Sequence, residues 1–406
     1  MNGHRTAPEP RCSALSAARG ALLDRLQAER HIGPGWAAAV RAVPREQFLS
    51  GGVFLPEVPE GHAARWRPVT PDGLRPEEWA ELAYSDQSLV TQLDGALTPD
   101  RATGPVEGYP TSSSTAPATV VGMLEELEVR DGDRVLEIGT GTGYSTALLC
   151  HRLGEDNVTT VEADPELARR ADDALEVAGY STWTVTDDGL LGHPSRAPYD
   201  RIIATCAVRR IPHTWLRQAR PGAIVLATVG SWSYGTGLAK VVVAADGTAA
   251  GRVTGPSSFM PARAQAAAPL GGSLAARAAY ADSVRRARVA PDVLRDWMPA
   301  FLAQLAAPTA QLVRAVAGGT EKRYLIDAER ESFAELAPEG DGWVVRQGGP
   351  LALWDAVERA ITGWRAAGEP GIDAVRLRVT REAHTYWIDA PGHLGLRWEH
   401  RHPPLP

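Results

Sequence analysis

The chain has 406 residues, 44% hydrophobic and 22% charged, which is ordinary for a globular protein and more than one core comfortably organises, so two domains are expected. Its formal net charge of −7 gives no electrostatic reason to expect a nucleic-acid or membrane partner, and no stretch approaches the apolar length of a membrane span. Cys12, Cys150 and Cys206 lie far apart without ligand-like spacing, which sets aside a disulfide framework and a zinc site and predicts buried free thiols; with no signal-like N-terminus, a cytoplasmic location is expected.

Leu15, Leu22, Leu23 and Leu26 recur at near-helical spacing and predict an amphipathic helix over Ala14 to Arg30. Val40 to Phe48 reads as a second helix stopped by its proline. From Gly51 to Gly108, prolines, glycines and charges around Tyr84-Ser85-Asp86 predict loops and short strands. The hydroxyl run Ser112, Ser113, Ser114 and Thr115 reads as a loop just before a helix from Thr119 to Leu127. A loop there brings hydroxyls and backbone N–H groups to one helix N-terminus, a place suited to a carboxylate.

The next stretch organises the chain. Arg134 to Ile138 is a short apolar strand carrying Glu137 near its end; it enters Gly139-Thr140-Gly141-Thr142-Gly143-Tyr144 and passes into the helix that starts at Ala147. Such a turn needs positive φ, and a ligand can lie against backbone only where no Cβ intrudes. Tyr144 stands where a dinucleotide site wants a small residue, and a carboxylate at Glu137 repels a pyrophosphate but suits an amino group. S-adenosylmethionine is therefore the expected ligand. Val158 to Val161 is a second strand ending in Glu162, placed for ribose hydroxyls, and Thr184 to Thr186 a third that leads into Asp187, Asp188 and Gly189, placed to flank adenine.

Further strands are predicted at Ala197 to Thr205 and Ala223 to Gly230, with a short helix at Trp215 to Ala219 between them and a closing hairpin through Leu238 to Val243 and Gly251 to Val253. Alternating strands and helices imply a doubly wound, mostly parallel sheet. The Pro/Ala/Gly-rich stretch Gly255 to Gly272 marks the expected boundary, giving domains 1–255 and 256–406. In the second, Leu351 to Trp364 has one apolar helical face, Ala374 to Thr380 and Thr385 to Ile388 alternate like strands, and most of Trp297, Trp343, Trp354, Trp364, Trp387 and Trp398 are expected in its core. His31, His193, His213 and His384 sit in no partnered motif and are read as ordinary.

Val40 to Phe48, Tyr84-Ser85-Asp86, Ser114-Thr115-Ala116-Pro117, Glu137 to Tyr144, Asp188-Gly189, Ala197 to Asp200 and Arg220-Pro221-Gly222 follow one another in an order and spacing that resembles the protein-L-isoaspartate O-methyltransferases. The resemblance implies a Rossmann-like class I methyltransferase fold with a C-terminal α+β domain. It also implies cofactor contacts at Glu137, Gly139, Gly141, Glu162, Asp188 and Gly189, and an acceptor site at Thr115, assisted by Ser113 or Ser114. The expanded run from Ser112 and the C-terminal extension look like the subgroup that works on graspetide and lanthipeptide precursors, whose aspartyl ester goes on to an aspartimide. The expected function is thus esterification of an aspartate in a cyclised ribosomal peptide. Isoaspartate repair is the alternative, a non-catalytic scaffold a second, and the oligomeric state is left open.

Overall fold

The computed structural model describes residues 10–29, 32–57, 65–232, 234–265, 279–317, 319–389 and 396–402. They fall into two compact units, Met1–Ile203 and Ala204–Pro406. The boundary expected at 255/256 lies inside the second of these, His31 lies outside the described residues, and so does 266–272 of the expected boundary stretch.

The helices of the first unit are α1 (Pro10–Glu29), α2 (Pro34–Ala42), α3 (Pro76–Ala83), α4 (Pro117–Glu126), α5 (Tyr144–Leu153) and α6 (Pro165–Val177). All but α5 open on proline, whose fixed φ suits the first helical turn and whose missing N–H costs nothing there. Proline also explains a difference from expectation. Pro44 holds Val43 extended, at φ −81° and ψ 118°, so Val40 to Phe48 is not one helix but the end of α2 followed by a 3-10 turn over Arg45–Leu49.

Strands β1 (Val53–Glu57), β2 (Arg65–Val69), β3 (Leu89–Leu93), β4 (Val106–Glu107) and β5 (Pro110–Ser114) form an antiparallel sheet in the order β4-β2-β1-β3-β5. The hydroxyl run expected as a loop is therefore mostly a strand: Ser114 pairs with Leu89, Ser113 with Val90 and Ser112 with Gln92. The parallel core is β6 (Val135–Ile138), β7 (Val158–Glu162) and β8 (Trp183–Thr186), with β6 and β7 buried along their whole length, as parallel strands covered on both faces are. Buried Gln92 ties the two sheets together, donating to Asp164 Oδ2 at 3.0 Å and accepting from Thr111 Oγ1 at 2.8 Å. Asp164 in turn caps α6, accepting from the N–H groups of Glu166 and Leu167.

Strand β9 (Tyr199–Val208) crosses from the first unit into the second. The second unit continues with α7 (His213–Gln218), β10 (Ala219–Val229), β11 (Gly237–Val243), β12 (Ala249–Pro256), β13 (Ser283–Arg286), α8 (Trp297–Ala306), β14 (Gln311–Ala317), β15 (Thr320–Asp327), β16 (Ser332–Glu339), β17 (Gly342–Gly348), α9 (Leu353–Ala366), β18 (Val375–Val379), β19 (Ala383–Ile388) and β20 (Leu396–Arg401). Antiparallel pairing joins β10, β11, β12, β18, β19 and β20 in that order, so the predicted hairpin and the predicted C-terminal strands share one sheet. A second antiparallel sheet, β13-β17-β16-β15-β14, occupies residues for which no strand was expected. The fold class is as expected: a Rossmann-like α/β core with an α+β unit after it. Only Trp354 and Trp364 of the six C-terminal tryptophans are buried, so most are not core. Cys150 is buried, its thiol pushed up to about 12 by desolvation, whereas Cys12 is exposed and Cys206 half-buried. Among the described residues no helix is long and apolar enough to cross a membrane.

Candidate cofactor and acceptor site

The site grows from the end of β6. Gly139, Gly141 and Gly143 have φ of +94°, +55° and +89°, left-handed backbone that only glycine adopts without strain. Gly139 N–H donates to Val161 O and Gly143 N–H to Thr140 O, while Thr140 Oγ1 lies 2.7 Å from Thr160 Oγ1, so the turn is strapped to β7. Glu162 completes the strap, its Oε2 accepting from Gly141 N–H at 2.9 Å and its Oε1 from Asp164 N–H at 3.1 Å. Thr142 lines a cleft of about 270 Å³ together with Gly141, Thr91, Phe48, Leu167 and Arg170.

Glu137 sits one layer deeper than expected. It is fully buried and accepts from Ser145 Oγ and Thr146 Oγ1, each at 2.5 Å, and from Thr160 Oγ1 at 2.8 Å. Burial pushes its carboxyl above the usual range against the pull of those three hydroxyls. The carboxylate anchors the start of α5 and leaves the turn's outer surface to other groups. Tyr144 is also inside: its ring centroid is 6.0 Å from that of Phe48, and the Arg45 guanidinium lies 5.8 Å away. Asp188 is exposed and caps a short turn through Leu190 N–H at 3.0 Å, while Gly189 packs closely on β6, since a Cβ there would stand 2.6 Å from Ile138 Cγ2.

The hydroxyl strand abuts the turn. A Cβ on Gly141 would lie 3.8 Å from Ser113 O and 4.0 Å from Ser112 Oγ. Strand alternation sorts the four hydroxyl residues: Ser112 and Ser114 are buried, with Ser112 Oγ accepting from Thr91 Oγ1 and Ser114 Oγ accepting from Arg45 Nε, whereas Ser113 and Thr115 are half-buried. The helix N-terminus expected to receive a carboxylate already holds one. Asp86 Oδ1 accepts from Ala118 N–H at 2.8 Å, and Ser88 Oγ accepts from Ala116 N–H at 3.1 Å, so the protein satisfies α4 with its own side chains.

Arg45 escaped the sequence reading. It is fully buried, and its guanidinium donates to the carbonyls of Ala83, Ser85, Gln87, Ser114 and Thr115 at 2.8 to 3.2 Å. Desolvation lowers it to about 10, so it stays charged at neutral pH. Its only sequence signal is a lone arginine between Pro44 and an apolar pair, Phe48-Leu49. Among the histidines, His384 is fully buried and kept neutral, its pKa lowered to about 3 by desolvation, and His193 bonds Ser195 Oγ two residues on. Among the described residues no group of three or more His, Cys, Asp or Glu is placed to hold a metal ion.

A family model described as Protein-L-isoaspartate(D-aspartate) O-methyltransferase matches residues 75–267, a span that takes in β5, the glycine turn, Glu162 and Asp188. The protein-L-isoaspartate O-methyltransferase of Ignicoccus hospitalis is 40% identical over 156 residues, 38% of this chain and 66% of the relative. The protein-L-isoaspartate O-methyltransferase 2 of Pelobacter propionicus is 35% identical over 209 residues, 51% of this chain and 73% of the relative. The chain thus spans about two-thirds of the length of these relatives. A solved protein-L-isoaspartate O-methyltransferase shares the fold with a TM-score of 0.50 at 20% identity, over 95% of this chain and 100% of its own. With 35% identity to a relative covered over 73% of its length, the chain belongs to the protein-L-isoaspartate(D-aspartate) O-methyltransferase family, whose members are S-adenosylmethionine-dependent carboxyl methyltransferases.

Proposed function

We propose that the chain methylates the carboxylate of an aspartyl or isoaspartyl residue in a peptide or protein, using S-adenosylmethionine. The observation that carries this reading is the contact of the glycine turn with the hydroxyl strand, which sets a nucleotide-type cradle beside a row of neutral hydrogen-bond donors. The donor set fits the cofactor: glycines with no Cβ at the turn, and Glu162 and Asp188 as acceptors for hydroxyl and amino groups. When bound, S-adenosylmethionine supplies a methyl group on a positively charged sulfur, already activated for transfer.

The chain's own residues have a limited task. An aspartyl carboxylate is an anion at neutral pH, so no base is needed to make it a nucleophile. Ser113 and Thr115, the two hydroxyl residues with accessible surface, would hold one carboxylate oxygen and leave the other free, while buried Ser112 and Ser114 keep the strand in register. Arg45 holds the carbonyls behind them. Glu162, Gly139, Gly141, Asp188 and Gly189 are assigned to the cofactor, with Thr140, Thr142 and Gly143 shaping the turn, Glu137 anchoring it and Tyr144 packed behind it.

The names of the relatives support an isoaspartyl substrate at least as well as a cyclised ribosomal precursor. The expanded hydroxyl run still favours the precursor reading, whose product ester would close to an aspartimide. The C-terminal region does not separate the two, because a solved isoaspartate methyltransferase shares the fold over 95% of this chain. We assign the residues of the glycine turn and the hydroxyl strand to catalysis and the C-terminal region to substrate recognition under either reading. A competition between an isoaspartyl peptide and a cyclised aspartyl precursor, followed by mass spectrometry of the methyl ester, tests it. Methylation of neither, by protein that binds the donor, overturns the proposal.

A further inference from the structure

The sheet of the second unit has one buried face and one outer face. Val241, Val253, Leu377, Tyr386 and Ile388 turn inward and are buried. The alternate residues form a continuous cross-strand row: Lys240 on β11 opposes Arg252 on β12, Arg252 opposes Arg376 on β18, Arg376 opposes Trp387 on β19, and Trp387 opposes Arg397 on β20. With strands about 4.8 Å apart, the row is about 19 Å long. One pleat along, Arg378 shares this face, opposite Ala250 and Thr385. Arg252, Arg378 and Arg397 are exposed, and Lys240, Arg376 and Trp387 are half-buried.

Among the described residues, Arg252, Arg376, Arg378 and Arg397 form no ion pair, and Glu399 on the same face is taken by Arg401 at 2.9 Å. Like charges directly opposite one another on neighbouring strands are destabilising, and here three consecutive strands place Lys240, Arg252 and Arg376 in line. In a chain of net charge −7, unpaired arginines gathered in one row constitute a local field of opposite sign to the whole.

We propose that this face docks an acidic, extended segment of the peptide substrate. The substrate class rests on the carboxyl-methyltransferase reading above; the location and charge of the surface do not. Arginine forks match carboxylates in bidentate geometry, and Trp387, between Arg376 and Arg397, offers a flat apolar surface to a side chain between two acids. A single-stranded nucleic acid is the poorer occupant. Its binding relies on successive aromatic platforms, and the row holds one aromatic among four cations.

The test uses the full-length protein and three fluorescein-labelled probes read by anisotropy: a dodecapeptide alternating glutamate and serine, its glutamine counterpart, and a single-stranded RNA of equal charge. The acidic peptide should bind, weaken steeply with added salt, and outbind the glutamine peptide by about tenfold or more. The triple variant Arg252→Gln, Arg376→Gln, Arg397→Gln should lose about tenfold in affinity, and the single charge reversal Arg252→Glu a smaller, same-signed amount. Circular dichroism checks the fold of both. Equal binding of the two peptides, or undiminished acidic-peptide binding by both variants, overturns the proposal; RNA that outcompetes the peptide and depends on the same arginines makes the face a nucleic-acid surface. Donor binding, measured by calorimetry on the same samples, keeps the two readings apart. Wild type that binds the acidic peptide but no methyl donor leaves the docking surface standing and removes the methyltransferase reading.

Discussion

Glu137 shows how burial recasts a residue's role. A carboxylate that would serve a ligand from the surface here saturates three hydroxyls from the inside, and Glu137→Ala leaves Ser145, Thr146 and Thr160 without their acceptor. The cost should be roughly 2–4 kcal/mol, read from urea unfolding, with Glu137→Gln milder because it keeps the shape and one acceptor. The pH dependence has a definite sign. Because burial raises the folded-state pKa, the folded protein binds the proton more tightly than the unfolded chain, so this group's contribution is present below the ordinary carboxyl value and lost as pH rises through the folded one. Glu137→Gln should flatten the stability profile across that window. Beside the turn, Glu162→Ala should weaken donor binding by roughly 1–3 kcal/mol in calorimetry. Thr115→Ala should cut turnover with donor affinity nearly unchanged, and equal loss of both would make the hydroxyl strand merely structural.

At the scale of elements, β5 is held by β3 on one side and by Arg45 behind it. The guanidinium gathers carbonyls from α3, from the stretch after it and from the end of β5, and so ties three segments to one buried cation. Arg45→Met keeps bulk and removes every donor, so the variant should be destabilised by about 3 kcal/mol or more. Hydrogen exchange offers the sharper reading. Amides of Ser112 to Thr115 should exchange faster while those of β6 and β7 keep their protection; a uniform rise would show that Arg45 stabilises the unit as a whole and does not position the acceptor strand.

For the whole molecule, the question is where the chain can be divided. The sequence suggests Gly255, but β12 runs through that point and pairs with β18 from Ala249↔Val379 to Arg252↔Arg376. Cutting there strips the antiparallel neighbour from β12 and bares a strand edge. A 1–255 fragment should therefore elute as aggregate in size-exclusion chromatography, and a monodisperse, soluble fragment would contradict this. Recognition by the C-terminal region is accordingly better probed by substitution than by truncation.

The sequence by itself determined what local rules govern: a turn that needs positive φ at Gly139, Gly141 and Gly143, the apolar strands β6 and β7 on either side of its helix, the acids at their ends, and the family to which that order belongs. It missed what depends on partners distant in the chain. Nothing near Ser112 says that it pairs with Gln92, nothing near α4 says that Asp86 fills its N-terminus, and Arg45 collects carbonyls up to 70 residues away. The row from Lys240 to Arg397 is the extreme case, since each member is an ordinary surface cation in its own strand. Cross-strand register, burial and the destination of backbone hydrogen bonds are set by long-range pairing, and only the tertiary structure decided them.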